Sequence, residues 1–280
     1  MDVARTGGIN DIRELENISR EIRIDILKML HESGSGHTGG SLSAADVAVA
    51  IYFSRMNFDV NDPGMKERDR FILSKGHAAP LLYAILARAG YIAPDVLASL
   101  RKIDSPLQGH PCCELLPGVE VSTGSLGQGL SVANGIAMGL KLDNIPSRVF
   151  CIMGDGEVQE GQIWEAAMTA AHYKLDNICG VVDNNGLQID GPVEEVMGVA
   201  PLPDKWEAFG WNVIEVNGHK MDEILGALDD AGNTKGRPTV IIAHTVKGKG
   251  VSIFEGKVEY HGVAPTADEL EQAMKELNSE

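Results

Sequence analysis

The residues best suited to bind a metal ion follow two apolar runs of the sequence. Gly154-Asp155-Gly156 and Asn185 are separated by enough chain for one strand–helix–strand unit, so two successive parallel strands can present their ends side by side. The Asp155 carboxylate, the Asn185 amide and the Leu187 carbonyl would offer Mg²⁺ three oxygens and leave positions for water and phosphate oxygens. The alternative is that Asp155 is an ordinary helix N-cap and Asn185 a turn residue.

Histidines are the second group of candidate functional residues. An imidazole in a glycine loop is placed to reach a ligand, and its ordinary pKa suits proton transfer near neutral pH. The same side chains could cap helices or lie at the surface, an interpretation that fits His219 best because a strand precedes it. Zinc is disfavoured, because no two histidines are three or four residues apart. Glycine precedes four histidines and follows a fifth: His37, His77, His110 and His219, then His261.

The common nucleotide-binding motifs fit this sequence poorly. Residues 124–129 read GSLGQG, which is not the dinucleotide-binding order G-x-G-x-x-G, and no strand is evident before them. The sequence G-x-x-x-x-G-K-[ST] does not occur, which excludes a P-loop. An NAD-binding Rossmann protein is therefore the weakest of the alternatives that we keep.

Short apolar runs alternate with helical patterns along the chain. This alternation predicts an α/β fold with a mostly parallel sheet and helices on both of its faces. In such sheets the ligand lies beyond the carboxyl ends of the strands, which is where the candidate metal ligands stand. The predicted strands are 70–73, 149–153, 178–182, 213–216 and 239–243, and helices are predicted near 78–89, 94–103, 126–142, 160–175, 204–209 and 221–231.

The N-terminal region is predicted to be helical. Apolar residues at steps of three or four over 11–31 indicate an amphipathic helix that ends at Gly34. Ser43 is predicted to open the next helix, with Asp46 completing a capping box. Acidic residues after Pro265 predict a last surface helix. With no internal repeat or linker, residues 1–280 read as one domain with an N-terminal helical arm over 1–34.

The composition restricts the classes of function. With 24 basic and 40 acidic residues the formal charge is −16, which argues against binding nucleic acid or docking on anionic membranes. No apolar run is long enough for a membrane span, and the N-terminus lacks a signal-peptide core. The cysteines at 112, 113, 151 and 179 have no metal-ligand spacing, so we expect reduced thiols and a cytoplasmic protein.

Six motifs, in order along the chain, resemble the N-terminal part of transketolase. Gly-Asp-Gly followed by Asn-Asn one strand–helix–strand unit later is similar to the thiamin diphosphate motif. The resemblance covers nearly the whole chain and identifies it as the diphosphate-binding (PP) domain, which has the thiamin-diphosphate-binding fold. The motifs are SGHTGG (35–40), SKGH (74–77), GHP (109–111), GSLGQG (124–129), GDGEVQEG (154–161) and KGKG (247–250).

This resemblance implies thiamin diphosphate and Mg²⁺ as cofactors, with Ca²⁺ as an alternative metal. By position in the motifs, Asp155, Asn185 and the Leu187 carbonyl would coordinate the metal. Lys247 would neutralise diphosphate charge. The other residues that the resemblance assigns to the cofactor are His77, Gly124, Ser125, Leu126, Gly156, Glu157 and His261, together with Asn185 again.

The implied reaction is the transfer of a two-carbon ketol unit between sugar phosphates, for example from xylulose 5-phosphate to ribose 5-phosphate. Of the three histidines implied to be catalytic, His37 and His110 would hold the ketose hydroxyls and move protons, and His261 would lie near the diphosphate and the reaction centre. The family's activating glutamate lies in the next, pyrimidine-binding (Pyr) domain, and neither that domain nor the C-terminal domain matches this sequence. We therefore expect a second, C-terminal transketolase subunit that supplies the glutamate, in an α2β2 heterotetramer.

Two further interpretations stay open. Deoxyxylulose-phosphate synthase and other sugar-specific transketolases share this first domain, although the GHP and KGKG motifs favour transketolase over the synthase. A non-catalytic module that binds thiamin diphosphate is the alternative from a different functional class.

Overall fold

The computed structural model describes residues 8–279, and its centre is a five-stranded sheet in which every neighbouring pair is parallel. The strand order is β1-β2-β3-β7-β6, and β4 and β5 form a separate antiparallel pair. All five strands predicted from the sequence are confirmed. The strands are β1 (Arg70–Leu73), β2 (Val149–Gly154), β3 (Ile178–Asn184), β4 (Leu187–Gln188), β5 (Gly191–Pro192), β6 (Asn212–Asn217) and β7 (Thr239–His244).

Helices cover both faces of this sheet, as the sequence predicts. One hydrophobic core joins the sheet to α1, α3, α4 and α9, and a second joins it to α5, α6 and α8. No helix within residues 8–279 is both long enough and apolar enough to cross a membrane. The α-helices are α1 (Ile12–Ser33), α2 (Thr38–Ser43), α3 (Ala45–Val49), α4 (Ala79–Ala89), α5 (Gln128–Leu142), α6 (Gly161–His172), α7 (Val193–Met197), α8 (Leu202–Ala208), α9 (Met221–Asn233) and α10 (Ala267–Leu277).

Strand β2 shows why continuous apolar runs become central strands here. Phe150 and Ile152 point into the core with α1, whereas Cys151 and Met153 point into the core with α5 and α6. All four side chains are fully buried because both faces of the sheet are covered. The register then aligns the strand ends: Gly154 of β2 lies beside the last residues of β3, and these lie beside the end of β7.

The N-terminal helix is confirmed where the structure describes it. The Asp11 carboxylate caps α1 by accepting a hydrogen bond from Glu14 N, and Gly34 ends the helix with φ 62°. Residues 1–7 of the predicted arm lie outside the described residues. The C-terminal helix α10 is also confirmed, with Thr266 and Glu269 forming a capping box.

Two local predictions are wrong. Ser43 does not open a helix but is the last residue of α2, and its hydroxyl donates to the Asp183 carboxylate at 2.6 Å. Asp46 does not complete a capping box, because its carboxylate forms an ion pair with Arg23 at 2.7 Å. The helix predicted over 94–103 is only a 3-10 helix over Pro94–Ser99, since Leu100 and Arg101 leave the helical region of φ and ψ.

Candidate active site

A cavity of about 350 Å³ lies beyond the carboxyl ends of β1, β2 and β3, under the loop that follows β7. This is the size and position at which α/β folds bind small molecules. His110 and Ser125 are not among the lining residues. The other predicted site residues all line it: His37, His77, Gly124, Leu126, Asp155, Gly156, Glu157, Asn185, Leu187, Lys247 and His261.

The Asp155 carboxylate lies at the cavity floor after β2. It accepts hydrogen bonds from Gly186 N at 2.5 Å and Gly156 N at 2.7 Å, so backbone amides fix its position. Burial, and then the negative charge of Asp183, raise the pKa of Asp155 to about 6. An incoming cation would relieve both effects, which is the electrostatic property expected of a metal ligand.

The oxygen donors predicted for a metal ion lie together here. The Asn185 amide oxygen accepts from Leu187 N at 3.1 Å, and the Leu187 carbonyl faces the same cavity. Asp155 is the only carboxylate among the three predicted metal ligands. Within residues 8–279 no three His, Cys, Asp or Glu side chains are grouped to hold a metal. One carboxylate plus neutral oxygens suits Mg²⁺ that also binds water and a diphosphate. The residues therefore fit the implied metal.

Lys247 brings a buried positive charge next to these oxygen donors. Its ammonium donates to the Leu187 carbonyl at 3.1 Å and to His261 Nδ1 at 2.7 Å. Gly39 makes room for its stem, because a Cβ at that position would lie 2.8 Å from Lys247 Cγ. Burial, and then the charge of Lys75, lower the pKa of Lys247 to about 8. A buried ammonium of this kind attracts an anion such as a diphosphate.

Four histidines form a cluster at the mouth of the cavity. The His37 ring lies 5.2 Å from His77, 5.5 Å from His261 and 6.4 Å from His110, measured between ring centroids. Burial first, and neighbouring cations second, lower the pKa of His37 to about 4 and of His261 to about 3. The pKa of His77 and of His110 is lowered for the same reasons.

These rings are therefore neutral at pH 7, so each has one nitrogen with a lone pair that can accept a hydrogen bond. In His261 this nitrogen, Nδ1, already accepts from the Lys247 ammonium. The Nδ1 atom of His37 is buried and has no hydrogen-bond partner among the described residues. Because such a polar atom is costly to bury alone, it marks a position where a ligand atom would be stabilised.

The loop over 124–129 reaches the cavity through contacts with β1 and β2. Gly127, with φ 84°, precedes α5, and its N–H donates to the Glu157 carboxylate at 2.9 Å. Glu157 also accepts from Ser74 Oγ at 2.5 Å and Gly154 N at 3.0 Å. The structure thus gives Glu157 a positioning contact, and its direct contact with the cofactor stays a prediction. Ser125, within this loop, is exposed.

Lys75 and Asp183, to which the motifs assign no role, form a buried ion pair, and Lys75 itself lines the cavity. Lys75 Nζ donates to Asp183 Oδ2 at 2.5 Å and to the Gly40 carbonyl at 2.7 Å. Asp183 also accepts from the hydroxyls of Ser43 and Thr245. The pair therefore ties α2 to the ends of three strands. The only sign of this ion pair in the sequence is that Asp183, a charged residue, ends an apolar strand.

The remaining candidates lie away from the cavity. His219 bonds to Asp46 and to the backbone of Val246 rather than to the site. Cys112 and Cys113 follow the GHP motif but are not among the residues that line the cavity, while Cys151 and Cys179 are buried core residues.

Several known transketolases and transketolase subunits are similar to this chain. A family model described as transketolase, thiamine diphosphate binding domain, matches residues 14–280. The chain is 42% identical over 270 residues to 6-deoxy-6-sulfo-D-fructose transketolase subunit SqwG of Clostridium sp. (strain MSTE9), covering 96% of this chain and 97% of that protein. It is also 42% identical over 267 residues to one subunit of the apulose-4-phosphate transketolase of Phocaeicola vulgatus, covering 95% of both.

Solved transketolases share the same fold. The structure from Campylobacter jejuni aligns with a TM-score of 0.91 and 31% identity, covering 96% of this chain and 43% of that one. The chain therefore spans about two fifths of the solved transketolase it matches. The predicted thiamin-diphosphate-binding fold is confirmed. The chain belongs to the transketolase family, and the part of transketolase that it matches is the thiamin diphosphate-binding domain.

Proposed function

We propose that this chain is the cofactor-binding subunit of a two-polypeptide transketolase that moves a two-carbon ketol unit from a ketose to an aldose. The observation that carries the proposal is one cavity lined by oxygen donors at Asp155, Asn185 and Leu187, an ammonium at Lys247, and neutral imidazoles. Bound thiamin diphosphate would supply the carbon nucleophile and the electron sink for carbon–carbon bond cleavage.

The cofactor half of the proposal assigns a role to each wall. Asp155, Asn185 and the Leu187 carbonyl hold Mg²⁺, and Lys247 balances the diphosphate charge. His77 and His261, whose rings stack on each other with centroids 5.4 Å apart, form one surface beside the cofactor. Gly124 and Gly156 have no side chain and so allow a close approach to the cofactor, and Ser125 and Leu126 contact it from the same loop as Gly124.

The substrate half rests on the histidine cluster. His37 and His110 bind the hydroxyls of the ketose, and His37 accepts and returns a proton as bonds at the neighbouring carbons change. Its lowered pKa keeps the ring neutral at pH 7, so its lone pair can accept a hydrogen bond from a substrate hydroxyl. His261, between Lys247 and His37, completes this wall and orients the reacting end of the substrate.

A second polypeptide is part of the proposal. The relatives covered over 95% to 97% of their length are named as transketolase subunits, which supports a division of the enzyme into two chains. The partner would supply the activating glutamate and the pyrimidine site, in an α2β2 heterotetramer.

The substrates are a ketose donor and an aldose acceptor, each with an anionic group remote from its reacting end. The named substrates of the relatives, a sulfofructose and a phosphorylated apulose, carry a sulfonate and a phosphate. Xylulose 5-phosphate and ribose 5-phosphate, the pair expected from the sequence, share this feature.

The test is ketol transfer by the chain alone and by the chain co-purified with its C-terminal partner, each with thiamin diphosphate and Mg²⁺. We expect turnover only in the combination, with one donor preferred among xylulose 5-phosphate, 6-deoxy-6-sulfofructose and apulose 4-phosphate. Full turnover by the chain alone would refute the two-polypeptide arrangement. As a control on the site, His37→Ala should lower turnover about 100-fold while cofactor affinity stays nearly unchanged.

A further inference from the structure

His219 lies outside the cavity, yet its imidazole joins a buried carboxylate to the backbone beside Lys247. Its Nδ1 is 2.8 Å from Asp46 Oδ2, and its Nε2 accepts a hydrogen bond from Val246 N at 2.8 Å. The side chain is only 12% exposed. Since Val246 directly precedes Lys247, this contact acts on the backbone that carries the cavity's ammonium.

The two neighbours of His219 fix its tautomer. A backbone N–H can only donate, so Nε2 must carry the lone pair and Nδ1 the hydrogen. Asp46 is the matching acceptor. Although burial opposes it, the Arg23 guanidinium, with help from His219, holds the pKa of Asp46 well below its usual range. The Arg23 guanidinium donates hydrogen bonds to both carboxylate oxygens of Asp46, at 2.9 and 2.7 Å.

The backbone around Lys247 is otherwise held from the far side. Gly248 N donates to the Gly39 carbonyl at 3.1 Å, and Gly256 N donates to the Lys247 carbonyl at 2.9 Å. The bond from Val246 to His219 links this turn instead to α3 and to the loop after β6. The turn is thus clamped from two directions, and its ammonium is aimed between the Leu187 carbonyl and His261.

We propose that His219 is the working contact of a positioning relay that fixes the Lys247 turn for binding the cofactor diphosphate, with Asp46 and Arg23 orienting its ring. None of the three lines the cavity, so they act through Val246 and not by contact with a ligand. The inference rests on the proposed function, because it takes Lys247 as a diphosphate contact.

Two variants of similar size separate positioning from stability. His219→Gln carries an amide oxygen to the former position of Nε2 and keeps an acceptor for Val246. His219→Asn places its amide near the former Nδ1, where it still donates to Asp46 but leaves Val246 N–H without an acceptor. His172→Gln, at an exposed histidine of α6, is the control.

We would measure amide hydrogen exchange at Val246 in the full chain, the thermal midpoint, and the Kd of thiamin diphosphate with Mg²⁺ in the two-subunit complex. For His219→Asn we expect about tenfold faster exchange at Val246 and about tenfold weaker cofactor binding, the range typical of outer-shell partners. For His219→Gln, the exchange rate at Val246 and the Kd of thiamin diphosphate should each stay within about threefold of the wild-type value. Its thermal midpoint should be similar to that of His219→Asn.

Three results would count against the relay. The relay is overturned if amide exchange at Val246 is unchanged in His219→Asn. It is also overturned if both variants lose the same cofactor affinity and this loss tracks the fall in their thermal midpoints. A wild-type complex that binds no thiamin diphosphate would instead refute the proposed function and the relay's cofactor role, while the exchange data would still decide whether the hydrogen bond exists.

Discussion

Asp155 and Asp183 lie at the ends of neighbouring strands, yet their surroundings give them opposite properties. Asp183 is buried, but the Lys75 ammonium and the hydroxyls of Ser43 and Thr245 hold its pKa below the ordinary value. Asp155 accepts from two backbone amides and has no ion-pair partner within the described residues. Burial and the charge of Asp183 raise its pKa to about 6.

The difference separates a carboxylate that stabilises the fold from one that remains available to a ligand. At the β3 end, the charge is neutralised by the protein, and the resulting ion pair ties α2 to the strand ends. At the β2 end, the charge is held in place by amides but is not neutralised. The scaffold therefore keeps an unfavourable negative charge where we propose that a metal ion binds.

The largest expected effect is on stability at the β3 end. Asp183→Asn would leave the Lys75 ammonium buried without its counter-charge, which should lower the free energy of unfolding by about 3–5 kcal/mol. Urea unfolding measures this change. The double variant Lys75→Met with Asp183→Leu removes both charges and should recover much of the loss. A cost under about 1 kcal/mol for Asp183→Asn would show that the pair is not the anchor described here.

A pH effect of nearly the same size is expected at the β2 end. Because the pKa of Asp155 rises from 3.8 to about 6 on folding, the folded protein binds this proton more tightly than the unfolded chain. The stabilisation is present below pH 4 and is lost as the pH rises through 6, up to about 3 kcal/mol. Between pH 4 and pH 7.5, the free energy of unfolding of the wild type without ligand should therefore fall by this amount relative to that of Asp155→Asn. Urea unfolding at each pH measures the difference.

The matched control for this titration is Asp190→Asn, which changes an exposed aspartate in the following loop. Its unfolding free energy should follow the wild-type curve across the whole range. If instead the wild-type and Asp155→Asn curves run parallel, Asp155 does not carry the buried charge that distinguishes it from Asp183.

The sequence predicted the role of Asp155, the carboxylate available to a ligand, better than that of Asp183, the carboxylate that stabilises the fold. Asp155 and Asn185 were found because each follows a recognisable strand, and strand order alone brings their ends together. The Lys75–Asp183 pair joins residues 108 positions apart, and nothing local marks that contact. The prediction for Ser43 was wrong for the same reason, since a bond to Asp183, 140 positions away, replaces the local capping pattern.

The third expected effect is on binding. Asp155→Asn keeps the size of the side chain but removes the only carboxylate of the proposed metal site. We expect thiamin diphosphate affinity in the presence of Mg²⁺ to fall about 100-fold, equal to about 2.7 kcal/mol, because even outer-shell changes cost 10- to 100-fold. Titration calorimetry on the two-subunit complex measures it, with Asp190→Asn as the control that should bind normally.

Removal of Mg²⁺ with a chelator provides the complementary comparison for that variant. Wild type should lose affinity to the level of Asp155→Asn, whereas the variant should hardly respond, since its metal ligand is already gone. Normal Mg²⁺-dependent binding by Asp155→Asn would show that the metal assignment is wrong, whatever the stability data show at Asp183.

The smallest effect tests whether the β3 end is a network or one ion pair. Ser43→Ala removes one donor to Asp183 but leaves Lys75 and Thr245, so we expect a loss of about 1 kcal/mol in unfolding free energy and unchanged cofactor affinity. Ser41→Ala is the matched control, because its hydroxyl, on the same helix, donates to the His37 carbonyl instead.

A double-mutant cycle distinguishes the two serines. Combined with Asp183→Asn, Ser43→Ala should cost less than alone, giving a coupling of about 1 kcal/mol, since its partner has already lost its charge. Ser41→Ala should add independently, because its bond does not involve Asp183. Additive behaviour of both would mean that Ser43 does not help to neutralise Asp183, and that of these two contacts only the bond from Lys75 to Gly40 anchors α2 to the strand ends.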